Sequence, residues 1–108
     1  MKFQSARIET KKITGWDSFY SVFAEAMCFP NFYGRNMNAW IDCMTYFDDS
    51  MTRFTVAPGD WFHLEVSDSK DFASRMPEIF QALVECSAFV NSRRVEVGEP
   101  PVLALVLL

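Results

Sequence analysis

The sequence is poor in the residues that most enzymatic chemistry needs. It holds one histidine, His63, and three cysteines, Cys28, Cys43 and Cys86, with no Cys-x-x-Cys spacing. A structural zinc site draws on four grouped Cys or His ligands, so no metal is expected. Three widely spaced cysteines read as reduced, partly buried thiols in a reducing compartment. Glycine occurs only four times and never as Gly-x-Gly, which argues against a phosphate-cradling loop and against any nucleotide cofactor. A nucleophile, base and orienter could come only from a cysteine, His63 and an aspartate, and nothing in their spacing brings them together. Acid–base cleavage of RNA draws on histidines, or on glutamate with basic clamps, and the chain has one histidine and no basic cluster. The chain is therefore not expected to be an enzyme. Long apolar runs are missing too. None approaches the roughly 20 residues of a membrane span, and Met1–Arg7 lacks the apolar segment of a signal peptide. A cytoplasmic protein with no membrane partner is the expectation.

Positive charge is also scarce. The net charge is −4, which argues against direct nucleic-acid binding. The acids concentrate in the middle. From Asn36 to Asp71, Asp42, Asp48, Asp49, Asp60, Glu65, Asp68 and Asp71 stand against Arg53 and Lys70. An acidic middle fits a basic partner; it equally fits a solvated surface that aids solubility.

Apolar and aromatic residues are plentiful, at 50% and 16% of 108 residues, enough for one domain spanning 1–108 with one core. Phe3–Glu9 alternates loosely and predicts a first strand. Asp17 or Ser18 then caps a helix whose buried stripe is Phe19, Val22, Phe23, Ala26 and Met27, and Pro30 stops it. Asn36 is a good N-cap for a second helix, running to about Tyr46 or Phe47, in which Met37, Trp40, Ile41 and Met44 face inward. Asn38, Asp42 and Thr45 fall on its opposite side. Pro58-Gly59 marks a turn. Trp61–Val66 alternates strictly, with Phe62, Leu64 and Val66 inward, and predicts a second strand. Ser67–Met76 reads as polar and irregular. Pro77 opens a helix with the stripe Ile79, Phe80, Leu83, Val84, Ala88 and Phe89, ending near Asn91. A loop over Val95–Pro101 leads into Val102–Leu108, an unbroken apolar run that predicts a strand buried on both faces. Strands alternating with helices predict an α/β layer.

The chain is organised around the loop that enters the second helix, Phe29-Pro30-Asn31-Phe32-Tyr33-Gly34-Arg35-Asn36. Gly34 permits a left-handed backbone or a close approach. The aromatic pair Phe32-Tyr33 beside the acid Asp42 has the composition of a recognition surface, although one of an adjacent pair usually points into the core. Asn36 reads equally well as a cap and nothing more.

Pro30, Phe32-Tyr33-Gly34, Asn36, Ala39, Asp42-Cys43 and Thr45, together with the layout of strands and helices, resemble the barstar family of ribonuclease inhibitors. The resemblance implies a barstar-like α/β fold, a small three-stranded parallel sheet packed with about three main helices. It also implies an intracellular immunity-type protein, monomeric when free, that plugs the active site of a basic bacterial ribonuclease in a one-to-one complex. Asp42 would take the place of an RNA phosphate. Phe32, Tyr33, Gly34, Asn36, Asn38, Thr45 and Phe47 match interface positions of the family, with Arg35, Ile41 and Tyr46 in the same stretch and Glu85 as a further acidic contact. Asn38 stands where the family has a second acid, Ile41 and Phe47 where it has tryptophans, and Arg35 where its best-known member has an acid. The alternative reading is a barstar-like protein-interaction module whose partner is not a nuclease toxin.

Overall fold

The computed structural model describes residues 3–30, 34–46 and 51–108. Three strands, β1 (Phe3–Ile8), β2 (Trp61–Val66) and β3 (Leu103–Leu107), form a parallel sheet in the order β1-β2-β3. Four helices connect and cover them: α1 (Trp16–Met27), α2 (Met37–Thr45), α3 (Ser69–Arg75) and α4 (Pro77–Glu96). The α/β fold expected from the sequence is present, with one helix more.

The alternation in β2 sets the layers. Phe62, Leu64 and Val66 are fully buried, and the parallel register places Ala6 and Ile8 beside Leu64 and Val66, and Leu103 beside Phe62. On the opposite face Arg7 and Glu65, partners in register, form an ion pair at 3.4 Å. One face of the sheet thus carries the core, and the other carries charge. β3 is correspondingly not buried on both faces. It lies at the sheet edge, and only Leu103 among its residues is buried.

Against the apolar face, α1 contributes Phe19, Phe23 and Met27, all fully buried. Val22 and Ala26 sit at the margin of that stripe. Phe19 meets Phe23 at 4.8 Å between ring centroids, and Phe23 meets Trp40 of α2 edge-on at 5.6 Å, a geometry that aromatic quadrupoles favour. The helix starts one turn earlier than Ser18 suggested. Gly15 is its N-cap, and the Ser18 hydroxyl accepts from the Gly15 N–H at 3.1 Å. It ends where Cys28 turns left-handed (φ 56°), two residues before Pro30.

Two sequence expectations change. The polar stretch after β2 contains α3, a helix of seven residues with one buried anchor, Phe72. Two turns with one apolar anchor leave no readable period. Arg75 fixes this helix by donating to the carbonyls of Ile13 and Thr10, each at 3.1 Å. The second change concerns α4, which runs to Glu96 and buries Ile79, Leu83, Ser87, Val90 and Arg94. Val84 and Phe89 are exposed instead, at 40% and 52%. The inward face is rotated because polar residues belong to it: Ser87 and Arg94 are buried and Asn91 is partly buried. The Asn91 Oδ1 accepts from the N–H groups of Val102 and Leu103 at 3.0 and 2.9 Å, and its Nδ2 donates to the Leu103 carbonyl. Arg94 donates from Nη1 to the Thr45 carbonyl at 2.8 Å and from Nε to the Pro100 carbonyl at 2.9 Å.

Replacing Asn91 by Ala strands three backbone groups at the start of β3. The expected loss is about 1–3 kcal/mol of unfolding free energy, measured by urea denaturation against wild type. Asn91→Asp, which keeps the acceptor, should recover part of it. Cys43 generates a pH dependence. Burial, with Asp42 beside it, pushes its thiol up from 9.0 to about 11. Between those values the unfolded chain releases this proton and the folded chain keeps it, so stability falls as pH rises from about 9 towards 11. Denaturation midpoints across that range should decline less steeply for Cys43→Ala.

Candidate functional site

The second helix is built so that one side of it cannot leave the core. Trp40, Ile41, Cys43 and Met44 are buried. Its start is fixed by Asn36, whose Oδ1 accepts from the Ala39 N–H at 2.8 Å while Nδ2 donates to the Gly34 carbonyl at 3.2 Å. Gly34 serves close approach: a Cβ there would lie 3.3 Å from Asn36 Nδ2 and 3.7 Å from the Ala39 Cβ. The left-handed residue of this turn is Arg35, at φ 52°. Its guanidinium donates from Nη2 to the Asp17 carboxylate at 2.7 Å, the Asp17 carbonyl at 2.8 Å and the Ser21 hydroxyl at 3.0 Å. Arg35 therefore straps the loop to the first turns of α1.

The outer side of α2 carries Asn38 and Asp42, one turn apart and both exposed. Thr45 does not join them. It is buried, its hydroxyl donates to the Ile41 carbonyl at 2.6 Å, and its own carbonyl receives Arg94. Helical spacing alone puts Thr45 on the outer side, but the last turns of α4 cover it there. Ile41 is likewise part of the core. Phe32, Tyr33 and Phe47 lie outside the described residues.

Tyr46 follows the helix and is 40% exposed. Its hydroxyl accepts from Arg93 Nη2 at 3.2 Å, and its ring lies 5.8 Å from the same guanidinium. Arg93 Nη1 donates to Asp42 Oδ1 at 2.8 Å. The Asp42 side chain is 56% exposed and that of Arg93 31%. The bond to Asp42 holds the Arg93 guanidinium above its ordinary pKa range. A cleft of about 360 Å³ opens beside the pair, lined by Tyr46, Arg93, Glu96 and Glu99 among others.

The member of α4 that meets Asp42 is thus a cation. Glu85, expected as a further acidic contact with the partner, lies eight residues earlier on α4, about 12 Å along the axis, where it is exposed and accepts from Gln81 at 2.9 Å. Sequence reasoning missed Arg93. The signal available was Arg93-Arg94 in the last turn of a helix, but nothing local says which element that turn will meet. Among the described residues no three His, Cys, Asp or Glu side chains group as metal ligands.

No curated protein matches the chain. The family model described as Barstar (barnase inhibitor) matches residues 3–105, a span that takes in all four helices and the loop before α2, and the chain belongs to that family.

Proposed function

We propose that the protein inhibits a ribonuclease by laying the outer side of α2 and the loop before it over the enzyme's active site. The observation that carries this reading is Asp42, an exposed carboxylate between two buried neighbours, Ile41 and Cys43, on a helix whose other side is core. Such a carboxylate is held rigidly and presented outward. Set among the cations that bind RNA phosphate, it makes charge-assisted hydrogen bonds and blocks the phosphate position at once. Asn38, Tyr46 and the Gly34–Asn36 turn flank it. One inhibitor covers one active site, and the complex forms in the cytoplasm.

Asp42 is the one formal negative charge of α2 and Arg93 offsets it, so the attraction to a basic enzyme comes from the acids around this face more than from the face itself.

Co-expression with the secreted ribonucleases of the same organism tests the reading. At least one should be lethal alone and tolerated with the inhibitor; failure to neutralise any member of that set would overturn the proposal. Asp42→Ala should weaken the complex by about 2–5 kcal/mol, chiefly through faster dissociation, because it leaves the enzyme's cations buried and unpaired. It should cost the fold no more than about 1 kcal/mol, since the ion pair it removes is exposed. Surface plasmon resonance and thermal unfolding separate the two. A steep loss of stability with binding intact would make Asp42 a structural residue.

A further inference from the structure

We infer that the open edge of β3, with the row of α4 beside it, pairs with a second copy of this chain, joining two three-stranded sheets into one six-stranded sheet about a two-fold axis at Val106. In a parallel ladder, alternate residues turn their backbone groups towards the same neighbour. The Val102 carbonyl accepts from Phe62 and the Leu108 N–H donates to Val66. The even-numbered residues of β3 therefore face β2, and Leu103, Leu105 and Leu107 face outwards. Asn91 agrees with this alternation. Its side chain accepts from the Leu103 N–H and donates to the Leu103 carbonyl, each at 2.9 Å. It imitates a neighbouring strand for that one residue. The outward groups of Leu105 and Leu107 stay open, and a two-fold axis at Val106 matches them to each other. Leu105 of each copy would exchange both bonds with Leu107 of the other, closing four hydrogen bonds with none left over.

The two edges of the sheet differ. At β1 the Gln4 side chain donates to the Thr55 carbonyl, tying the chain before β2 to that edge, and Arg7 adds charge. β3 reads Leu-Ala-Leu-Val-Leu, without the charge or proline that usually blunts an edge strand. The helix alongside commits this edge to a second copy. Asn91 reaches the outward side of β3, so the row of α4 that holds it lies on that side as well. Val84, Ala88 and Val95 stand seven and three residues before Asn91 and four after it, the spacing of one helical row. All three are exposed, Val84 at 40% and Val95 at 58%, where a helix surface is normally polar. An extended peptide could meet the strand but would leave this row uncovered. A second copy brings a strand and a helix in the same arrangement, so one patch serves both partners, as a two-fold interface requires. Charge agrees. The chain carries −4, so two copies repel wherever acids meet, whereas β3 and this row hold no ionisable side chain. Leu107, 51% exposed, would be covered by Leu105 of the other copy. Arg93 lies on nearly the opposite side of α4 from this row, so the pairing leaves the outer side of α2 open and stands apart from the ribonuclease-docking reading.

Sedimentation velocity of the purified chain over about 1–500 µM should show monomer giving way to dimer, since a contact this small lies at the low end of stable interfaces. Val106→Cys in a Cys28→Ser background tests the register. Opposed residues of a non-hydrogen-bonded antiparallel pair lie about 4.5 Å apart at Cα, within disulfide reach. Mild oxidation should therefore cross-link this variant at least tenfold faster than Ala104→Cys in the same background. Leu107→Lys and Val84→Glu should each weaken the dimer at least tenfold. A chain that stays monomeric throughout overturns the inference, as does a dimer indifferent to both substitutions or equal cross-linking at 104 and 106. Amides of Leu105 and Leu107 that gain exchange protection only with an added extended apolar peptide would give the edge to a foreign strand and overturn it too. If the variants do not fold, amide exchange of the wild type decides, because those two amides must gain protection as concentration rises. A dimer that neutralises no ribonuclease upholds this inference and overturns the docking reading alone.

Discussion

The last turns of α4 hold the molecule together through polar contacts that face inward. Asn91 answers three backbone groups where β3 begins, and Arg94 joins the end of α2 to the chain that leads into β3. The four terminal carbonyls of a helix have no partner within it. Arg94 supplies one of them, at Thr45, and puts a positive charge where the α2 dipole is negative. Helix, helix and edge strand are thereby fixed to one another at one corner. Arg93 follows from that fix. With Arg94 pointing in, its neighbour in sequence points along the seam towards α2, and the Asp42–Arg93–Tyr46 cluster forms there.

Two different kinds of force act on the two sides of α2. Its inner side is held by dispersion and apolar burial, with Trp40 edge-on to Phe23 and Met44 fully enclosed. Its outer side is held by nothing comparable, because an exposed ion pair contributes little in water. The helix is stable without the residues it displays. At its start, Asn36 and Gly34 serve backbone geometry, and Arg35 accepts a left-handed conformation while its side chain binds α1.

Strand β2 and helix α1 were legible because their apolar residues repeat with a clear period. Phe62, Leu64 and Val66 alternate, and Phe19, Phe23 and Met27 recur each turn. The family was legible from the loop and the start of α2. The site was legible only in part. Asn38 and Asp42 are exposed as spacing implies, whereas Thr45 is buried because α4 crosses its side of the helix. The true face of α4 was hidden because polar side chains at Ser87, Asn91 and Arg94 occupy inward positions that an apolar stripe cannot reveal. The apolar run of β3 reads as a doubly covered strand, yet the sheet order leaves it at an edge. Arg93 was illegible for a related reason: its partner is 51 residues away in sequence, and only the packing of α2 on α4 brings them together.

The separation of the two sides of α2 bears on how such a protein diverges. Positions 38 and 42 face outward while 40, 41, 43 and 44 face the core. Changes at the first set leave the folding free energy nearly untouched, so selection on what the protein recognises can proceed without selection on whether it folds. The two corner arginines divide in the same way. Arg94 is bound to the architecture, whereas Arg93, one residue before it, is free to be exchanged. A lineage built on this scaffold can rewrite its surface one outward residue at a time, keeping pace with a changing target while its interior stays the same.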